Sequence, residues 1–270
     1  MALVSVIITT FNRPKVLREA IKSVLDQDFS DFELIVVDDF SRGEETKQVI
    51  SSFSDARICY IKNKTNEGGT ASLNNGLRAA KGKYIAILDD DDVWICREKL
   101  RKQVEFLDGH PDYVLVGTNS IIVEGETKKE MTRSKWPQND LELRRNFFHE
   151  NPFAHSSVMY LREVALVAGG YDKLLPRGKD YDLMLTLGTH GKMAVLSDYS
   201  LMYSEAVPSD AELIKKRLVD AQATAKVLCK HRREYPGFLG AYTRVAARVF
   251  VFRLLTVVPM LYKFYRKTKI

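Results

Sequence analysis

Short apolar runs rich in β-branched residues alternate with amphipathic stretches across the first ninety residues, and this alternation constrains the fold more than any other feature. The runs are 3–10 (LVSVIITT), 32–39 (FELIVVDD), 57–63 (RICYIKN) and 83–90 (KYIAILDD). Between the first two, residues 14–27 place Val16, Leu17, Ala20, Ile21, Val24 and Leu25 on one helical face, and Pro14 suits a first turn. Residues 44–53 and 69–82 also have helical patterns, the second closed by Gly82. Strands that alternate with helices predict an α/β fold: a Rossmann-like, mostly parallel sheet with helices on both faces. In such a sheet ligands bind outside the carboxyl ends of the strands.

Three of those ends are conspicuously polar: TTFN (9–12), VVDDFS (36–41) and LDDDD (88–92). Four consecutive aspartates after an apolar strand need an explanation, because adjacent carboxylates repel and burying them unpartnered is costly. A solvated acidic turn is one account; a bound cation is the other. If the segment is extended, Asp89 and Asp91 point one way and Asp90 and Asp92 the other, so not all four reach one metal.

The second half is less regular. Residues 97–111 read as a helix, 113–123 as containing a strand, 124–140 as a polar mobile loop, and 151–172 as a strand leading into a helix closed at Gly169. Helices are expected from 178 and over 210–235. Cys59, Cys96 and Cys229 share no metal-ligand spacing; Cys59 and Cys229 are expected to be buried thiols, in a reducing compartment. The N-terminus lacks the basic leader of a signal peptide. The net charge of +6 is uneven: residues 226–270 carry +10 and the remainder −4. Basic residues beside apolar ones point to an anionic membrane surface rather than to nucleic acid.

The motifs VSVIITTFNR, LIVVDDFS, NEGG with LNNGL, GKYIAILDDDDVW, and GGYD with GKDYDL resemble, in order and spacing, the family 2 glycosyltransferases of GT-A fold, over roughly residues 3–205. The resemblance implies a catalytic domain over 1–205, with a nucleotide-sugar-binding half (1–118) and an acceptor-binding half (119–205). Residues 206–270 then form a C-terminal helical, basic region. It implies transfer of a sugar from a nucleotide-diphosphate donor to an acceptor hydroxyl with inversion, assisted by Mn²⁺ or Mg²⁺. By similarity Asp91 is the metal ligand with Asp89 as its partner, Asp90 touches the ribose, and Thr9 and Asp39 hold the base, with Asp38 as the alternative. A carboxylate at 39 suits a uracil imide N–H, so a UDP-sugar is expected. The Gly68-Gly69 pair lets the backbone approach the nucleotide, or is a plain loop.

The family draws its general base from an acidic pair before a helix. Here the pair reads Lys179-Asp180, so Asp180 is the base and Lys179 departs from the pattern; Asp182 is the competing acid. Leu73-Asn74 stands where the family commonly has Arg-Asn. His155 is an acceptor-site candidate, with a packed histidine as the equal alternative; Trp94 is a sugar-stacking candidate, with core packing as the alternative.

The expected setting is bacterial surface-polysaccharide assembly on a glycan or lipid-linked acceptor, in the cytoplasm at the inner face of the cytoplasmic membrane. Competing readings are a non-catalytic membrane-associated scaffold of the same fold and a nucleotidylyltransferase, although TTFNRPK lacks the glycine-rich phosphate loop that the latter would want. Residues 240–270 hold seven basic and no acidic residues. Their apolar centre, interrupted by Arg253 and Pro259, is too short for the roughly 20 residues of a membrane span. An interfacial segment dispensable for folding is expected; packing on the catalytic domain or on a second subunit of a homo-oligomer is the alternative.

Overall fold

The computed structural model describes residues 2–175, 177–206 and 208–257. In chain order its elements are β1 (Val4–Thr10), α1 (Pro14–Leu25), β2 (Phe32–Asp38), α2 (Glu45–Ser51), β3 (Ile58–Lys62), α3 (Gly69–Ala79), β4 (Tyr84–Ile87), β5 (Val93–Trp94), α4 (Lys99–Gly109), β6 (Tyr113–Glu124), β7 (Glu130–Arg133), α5 (Asp140–Asn146), a 3-10 turn (His155–Ser157), β8 (Met159–Leu161), α6 (Arg162–Val167), α7 (Lys179–Gly188), β9 (Lys192–Glu205), α8 (Asp210–Lys230) and α9 (Phe238–Val257). The sheet order is β3-β2-β1-β4-β8-β6-β9-β5, with β7 on β6. β3, β2, β1 and β4 are parallel. β8 reverses the direction, antiparallel to both β4 and β6. β6 and β9 then pair in parallel from Tyr113–Lys192 to Glu124–Glu205.

The central strands bury both faces, as a sheet covered by helices on both sides requires. Alternation sends Val4, Val6 and Ile8 to one face, where they meet Leu17, Ile21 and Val24 of α1 and Leu100 and Val104 of α4. Ile7, Ile35 and Val37 face the other way, onto Leu73 and Leu77 of α3 and Leu183 and Leu187 of α7. A side chain at Gly76 would begin 2.6 Å from Ile7 Cγ2, so the missing Cβ is what lets α3 lie this close to β1.

Several expectations change. The stretch 124–140 is not all loop, because β7 folds back on β6. The fourteen-residue strand β9 has no counterpart in the sequence reading. Its apolar residues change face at the register shifts opposite Thr118–Ser120, which breaks the period-two signal. Cys59 is exposed on the edge strand β3, and Cys96 and Cys229 are half-buried, so the expectation of buried thiols does not hold.

The C-terminal helices share the main core, which crosses residue 205: Val227, Leu228, Tyr235, Ala241 and Val245 belong to the same cluster as Ile7. A capping box, Ser209 with Glu212, starts α8. At its other end Lys230 Nζ and His231 Nε2 lie 2.7 Å and 2.9 Å from the buried Asp182 carboxylate. Ile214 packs on Phe252 and Leu255 of α9. The first part of the tail therefore packs on the rest of the protein, through Ala241, Val245, Phe252 and Leu255, as the alternative expectation has it. Residues 258–270, with Pro259, Lys263, Arg266, Lys267 and Lys269, lie outside the described residues. None of the described helices is long and apolar enough to cross a membrane.

Candidate active site

The four aspartates after β4 form a turn rather than an extended strand, with the Asp92 N–H donating to the Asp89 carbonyl at 3.1 Å. Their carboxylates fan out instead of alternating. Asp90 turns back to β1, accepting from Thr10 Oγ1 at 2.7 Å and Arg13 at 3.1 Å. Asp92 is buried and accepts from Ser156 Oγ at 2.6 Å and the Ser204 N–H at 2.8 Å, tying the turn to β9. Asp89 lies 3.1 Å from His155 Nδ1, and Asp91 accepts from Arg13 at 3.0 Å. Asp89 and Asp91 keep 37% and 42% of their side-chain surface open, whereas Asp90 keeps 7%.

These surroundings set the charges. Burial raises the Asp90 carboxyl to about 6 against the pull of Thr10 and Arg13. Burial and the neighbouring Asp89 raise Asp92 to about 8. Burial works against ionisation of Asp89 too, but the charge and hydrogen bond of His155, with Lys179 and Ser156, hold it below the usual carboxylate range. His155 responds in kind: burial would lower its pKa, and Asp89 holds it above the ordinary value.

The ends of β1 and β2 complete one wall. Asp38 is fully buried, accepting from the Ser41 N–H and Tyr60 Oη, and it is Asp39 rather than Asp38 that lines the cleft. Asp39 accepts from Asn63 Nδ2 and from the N–H groups of Glu67 and Gly68, each at 2.8 Å. With φ at +84°, Gly68 takes a conformation that favours glycine, and its N–H points at Asp39. A carboxylate has about four acceptor positions, so Asp39 retains one. Thr9 is half-buried beside it.

The opposite wall starts at α7. Gly178, at φ +71°, leads into Lys179 and Asp180. Asp182 is buried and bound by Lys230 and His231, which makes it a structural residue. The carboxylate of Asp180 and the ammonium of Lys179 have no hydrogen-bond or ion-pair partner among the described residues. Lys179 Nζ instead reaches to 3.3 Å from where a side chain on Gly69 would begin.

Two candidates change roles. Trp94 is buried in the core; its indole N–H donates to the Ser156 carbonyl at 2.8 Å, and Lys99 Nζ sits 4.1 Å from its ring centroid. Core packing therefore replaces sugar stacking. His155 uses both ring nitrogens, one on Asp89 and the other 2.9 Å from Tyr171 Oη, which leaves none for an acceptor. The half-buried Trp136, from the segment taken as a loop, lines the site instead. Leu73 is in the core, and Asn74 holds Tyr171 through its backbone N–H and carbonyl. Sequence reasoning also missed Arg13 as the clamp on Asp90 and Asp91, and missed Tyr203 and Ser204, which the unforeseen β9 delivers.

Two clefts meet here. One, of about 540 Å³, is lined by Thr9, Asp39, Gly69, Asp89, Asp90 and Asp91. The other, of about 760 Å³, is lined by Trp136, His155, Asp180 and Lys216 among others. Asp89, Arg177, Lys179 and Tyr203 line both. Among the described residues no group of three or more His, Cys, Asp or Glu side chains forms a ready-made cage. The open pair Asp89 and Asp91 still fits Mg²⁺ or Mn²⁺: such ions need only one or two carboxylates when phosphate oxygens and water complete the shell.

A family model described as glycosyl transferase family 2 matches residues 5–167. An uncharacterised glycosyltransferase of Methanocaldococcus jannaschii is 32% identical over 242 residues, covering 86% of this chain and 81% of its own. A UDP-Glc:α-D-GlcNAc-diphosphoundecaprenol β-1,3-glucosyltransferase of Escherichia coli is 32% identical over 144 residues, 51% of this chain and 56% of its own. Among solved structures, a mannosyltransferase from Pyrobaculum calidifontis, in complex with GDP-Man and Mn²⁺, is similar with a TM-score of 0.66 and 19% identity. That similarity covers 98% of this chain and 82% of the mannosyltransferase, and it supports the likeness in fold.

Proposed function

The chain belongs to glycosyl transferase family 2, and from that premise we propose that it transfers a hexosyl group from a UDP-sugar to a hydroxyl of a glycan or lipid-linked acceptor, with inversion. One observation carries this reading: the cleft with the strand-end aspartates and the cleft with Asp180 meet at Asp89, Lys179 and Tyr203. Residues 1–118 supply most of the donor cleft and 119–205 most of the acceptor cleft. Thr9 and the remaining acceptor position of Asp39 receive the base, and Asp90 receives a ribose hydroxyl. Asp89 and Asp91 hold Mg²⁺ or Mn²⁺ against the diphosphate, with His155 fixing Asp89. When bound, the cation neutralises charge on the departing diphosphate.

Asp180 takes the proton of the acceptor hydroxyl as that oxygen attacks the anomeric carbon. The bond from that carbon to the diphosphate oxygen breaks, and its electron pair leaves with the nucleotide. A single displacement of this kind inverts the configuration. Trp136 offers its ring to the acceptor sugar.

The UDP-Glc specificity of the Escherichia coli relative supports the uridine donor, and its lipid-linked acceptor supports a role in bacterial surface-polysaccharide assembly. The Mn²⁺ in the solved mannosyltransferase supports a divalent cation. A donor screen with Mn²⁺, reading sugar release and thermal shift, tests the assignment. UDP-sugars should be consumed and should stabilise the protein; use of GDP-Man alone, or of no donor, rejects it, and the second result would favour a scaffold.

We also assign the protein to the inner face of the cytoplasmic membrane. The outward side of α9 exposes Leu239, Tyr242, Phe250, Leu254 and Val257 at helical spacing, and the sequence after it adds Lys263, Arg266, Lys267 and Lys269. Apolar burial plus attraction to anionic lipid favours such docking. Binding to anionic vesicles should weaken with salt and with Phe250→Asp; indifference to anionic vesicles at low salt rejects the assignment.

A further inference from the structure

We propose that Lys179 is a diphosphate-binding residue of this site, bracketing the leaving nucleotide from the side opposite the Asp89–Asp91 turn. The inference rests on the donor reading above and adds to it a residue that departs from the family's acidic pair.

Among the described residues three cations line the donor cleft: Arg13, Arg177 and Lys179. Arg13 is taken by Asp90 and Asp91. Arg177 pairs with Asp220 at 3.3 Å. Lys179 is half-buried and, among the described residues, makes no hydrogen bond or ion pair, even with the adjacent Asp180. An ammonium carries three donors, and withdrawing one from water without an acceptor is unfavourable. Here that cost is tolerated in a cleft shaped for a ligand.

The position of the ammonium identifies the ligand. Lys179 Nζ spans the cleft to Gly69, the first residue of α3, and any side chain there would crowd it at 3.3 Å. Lys179 and Asp89 line the same cleft, with no hydrogen bond or ion pair between them among the described residues. A group lying between Lys179 and the open carboxylates Asp89 and Asp91 meets a cation on one side and a metal-binding pair on the other. A diphosphate is the part of the donor with the charge and the acceptor oxygens to fit there, and a lysine binds phosphate as a point charge. As the bond from the anomeric carbon to oxygen breaks, the negative charge gained by the diphosphate is stabilised by the ammonium. Lys179 keeps its proton throughout, and the proton released by the acceptor goes to Asp180.

The alternative is that Lys179 only balances the charge of Asp89. Titrating UDP, UMP and uridine into wild type, Lys179→Met and Lys179→Arg, with Mg²⁺ and with EDTA, separates the two. Loss of a charged hydrogen bond should weaken UDP binding to Lys179→Met about 10–100-fold, in both buffers, with uridine changed less than about threefold. Lys179→Arg should recover most of the UDP affinity. Equal losses for UDP and uridine, or an unchanged UDP affinity, overturn the proposal. If wild type does not bind UDP, the donor reading itself fails, a result distinct from a wild type that binds UDP and a variant that binds it equally well.

Discussion

The two walls of the site differ in how their charged groups are held. On the strand-end wall Asp39 accepts three hydrogen bonds from Asn63, Glu67 and Gly68, and Asp90 accepts from Thr10 and Arg13. On the α7 wall, Asp180 and Lys179 have no such partners among the described residues, while Asp182, two residues on, is fully engaged by Lys230 and His231. Carboxylates satisfied by the protein are pre-organised and place a ligand without rearranging. Groups left unsatisfied are those whose partners arrive with the substrates. Acids alike in sequence thus divide into satisfied and open groups according to what surrounds them.

The largest effect expected from this contrast is at Asp180. Asp180→Asn should lower kcat by about 10²–10⁴ while UDP affinity stays near wild type. Near-normal turnover in this variant, with Asp182→Asn dead, would move the base to Asp182 and break the comparison. Next comes Asp91→Ala, expected to reduce transfer by about 10³-fold with unchanged circular dichroism. EDTA should mimic it and Mn²⁺ should reverse EDTA; full activity in EDTA removes the cation from the scheme.

Asp182→Ala should act on the fold rather than on the chemistry. It leaves the buried His231 without its partner and Lys230 with Asp172 alone at the junction of α7 and α8, and a buried group left unsatisfied costs about 1–3 kcal/mol. Urea midpoints should fall accordingly, and activity measured well below the new transition should survive; an inactive but equally stable variant would contradict the division.

The smallest effect concerns Lys99, which is 1% exposed and bonded to Gln103 Oε1 at 2.7 Å. Burial holds its amine well below the usual lysine range. The unfolded chain therefore binds more protons than the native one from the lowered pKa up to about 10.4, and stability rises with pH across that window. Lys99→Met should remove this rise and stabilise the protein near neutral pH by on the order of 1 kcal/mol. Equal gains at pH 6 and pH 10 would show that the native amine titrates normally.

The contrast between the walls also marks where sequence reading succeeded. β1, β2 and β4 were legible because each is a short run with both faces buried, and β3, a half-exposed edge strand, from its β-branched and aromatic residues; helical stretches intervene. Their polar ends were expected at one edge, and Thr9, Asp39, Asp89, Asp90 and Asp91 do line one cleft. The α7 side was legible only as a motif: Asp180 was found by resemblance, and no periodicity pointed to it. Trp94 is packed in the core while Trp136, to which no role was assigned, lines the cleft, because exposure has no local signature. The aspartate turn was read as extended because its deciding hydrogen bond, from Asp92 to Asp89, leaves no trace in residue type.

By itself the sequence determined the α/β alternation, the edge at which the polar strand ends gather and the family, since each depends on local pattern or on motifs a few residues long. Tertiary structure decided the rest. It set β9 beside β6, though the two strands are far apart in sequence, and so brought Tyr203 and Ser204 to the cleft. It locked α8 onto Asp182 and drew α9 into the core, turning an expected appendage into part of the fold. It also gave Asp39, Asp90 and Asp92 their partners while leaving Asp180 and Lys179 without one among the described residues. The physical reason is common to all of these. Burial and hydrogen-bond satisfaction depend on neighbours distant in the chain, and the free energy of a charge depends on those neighbours more than on the residue that carries it.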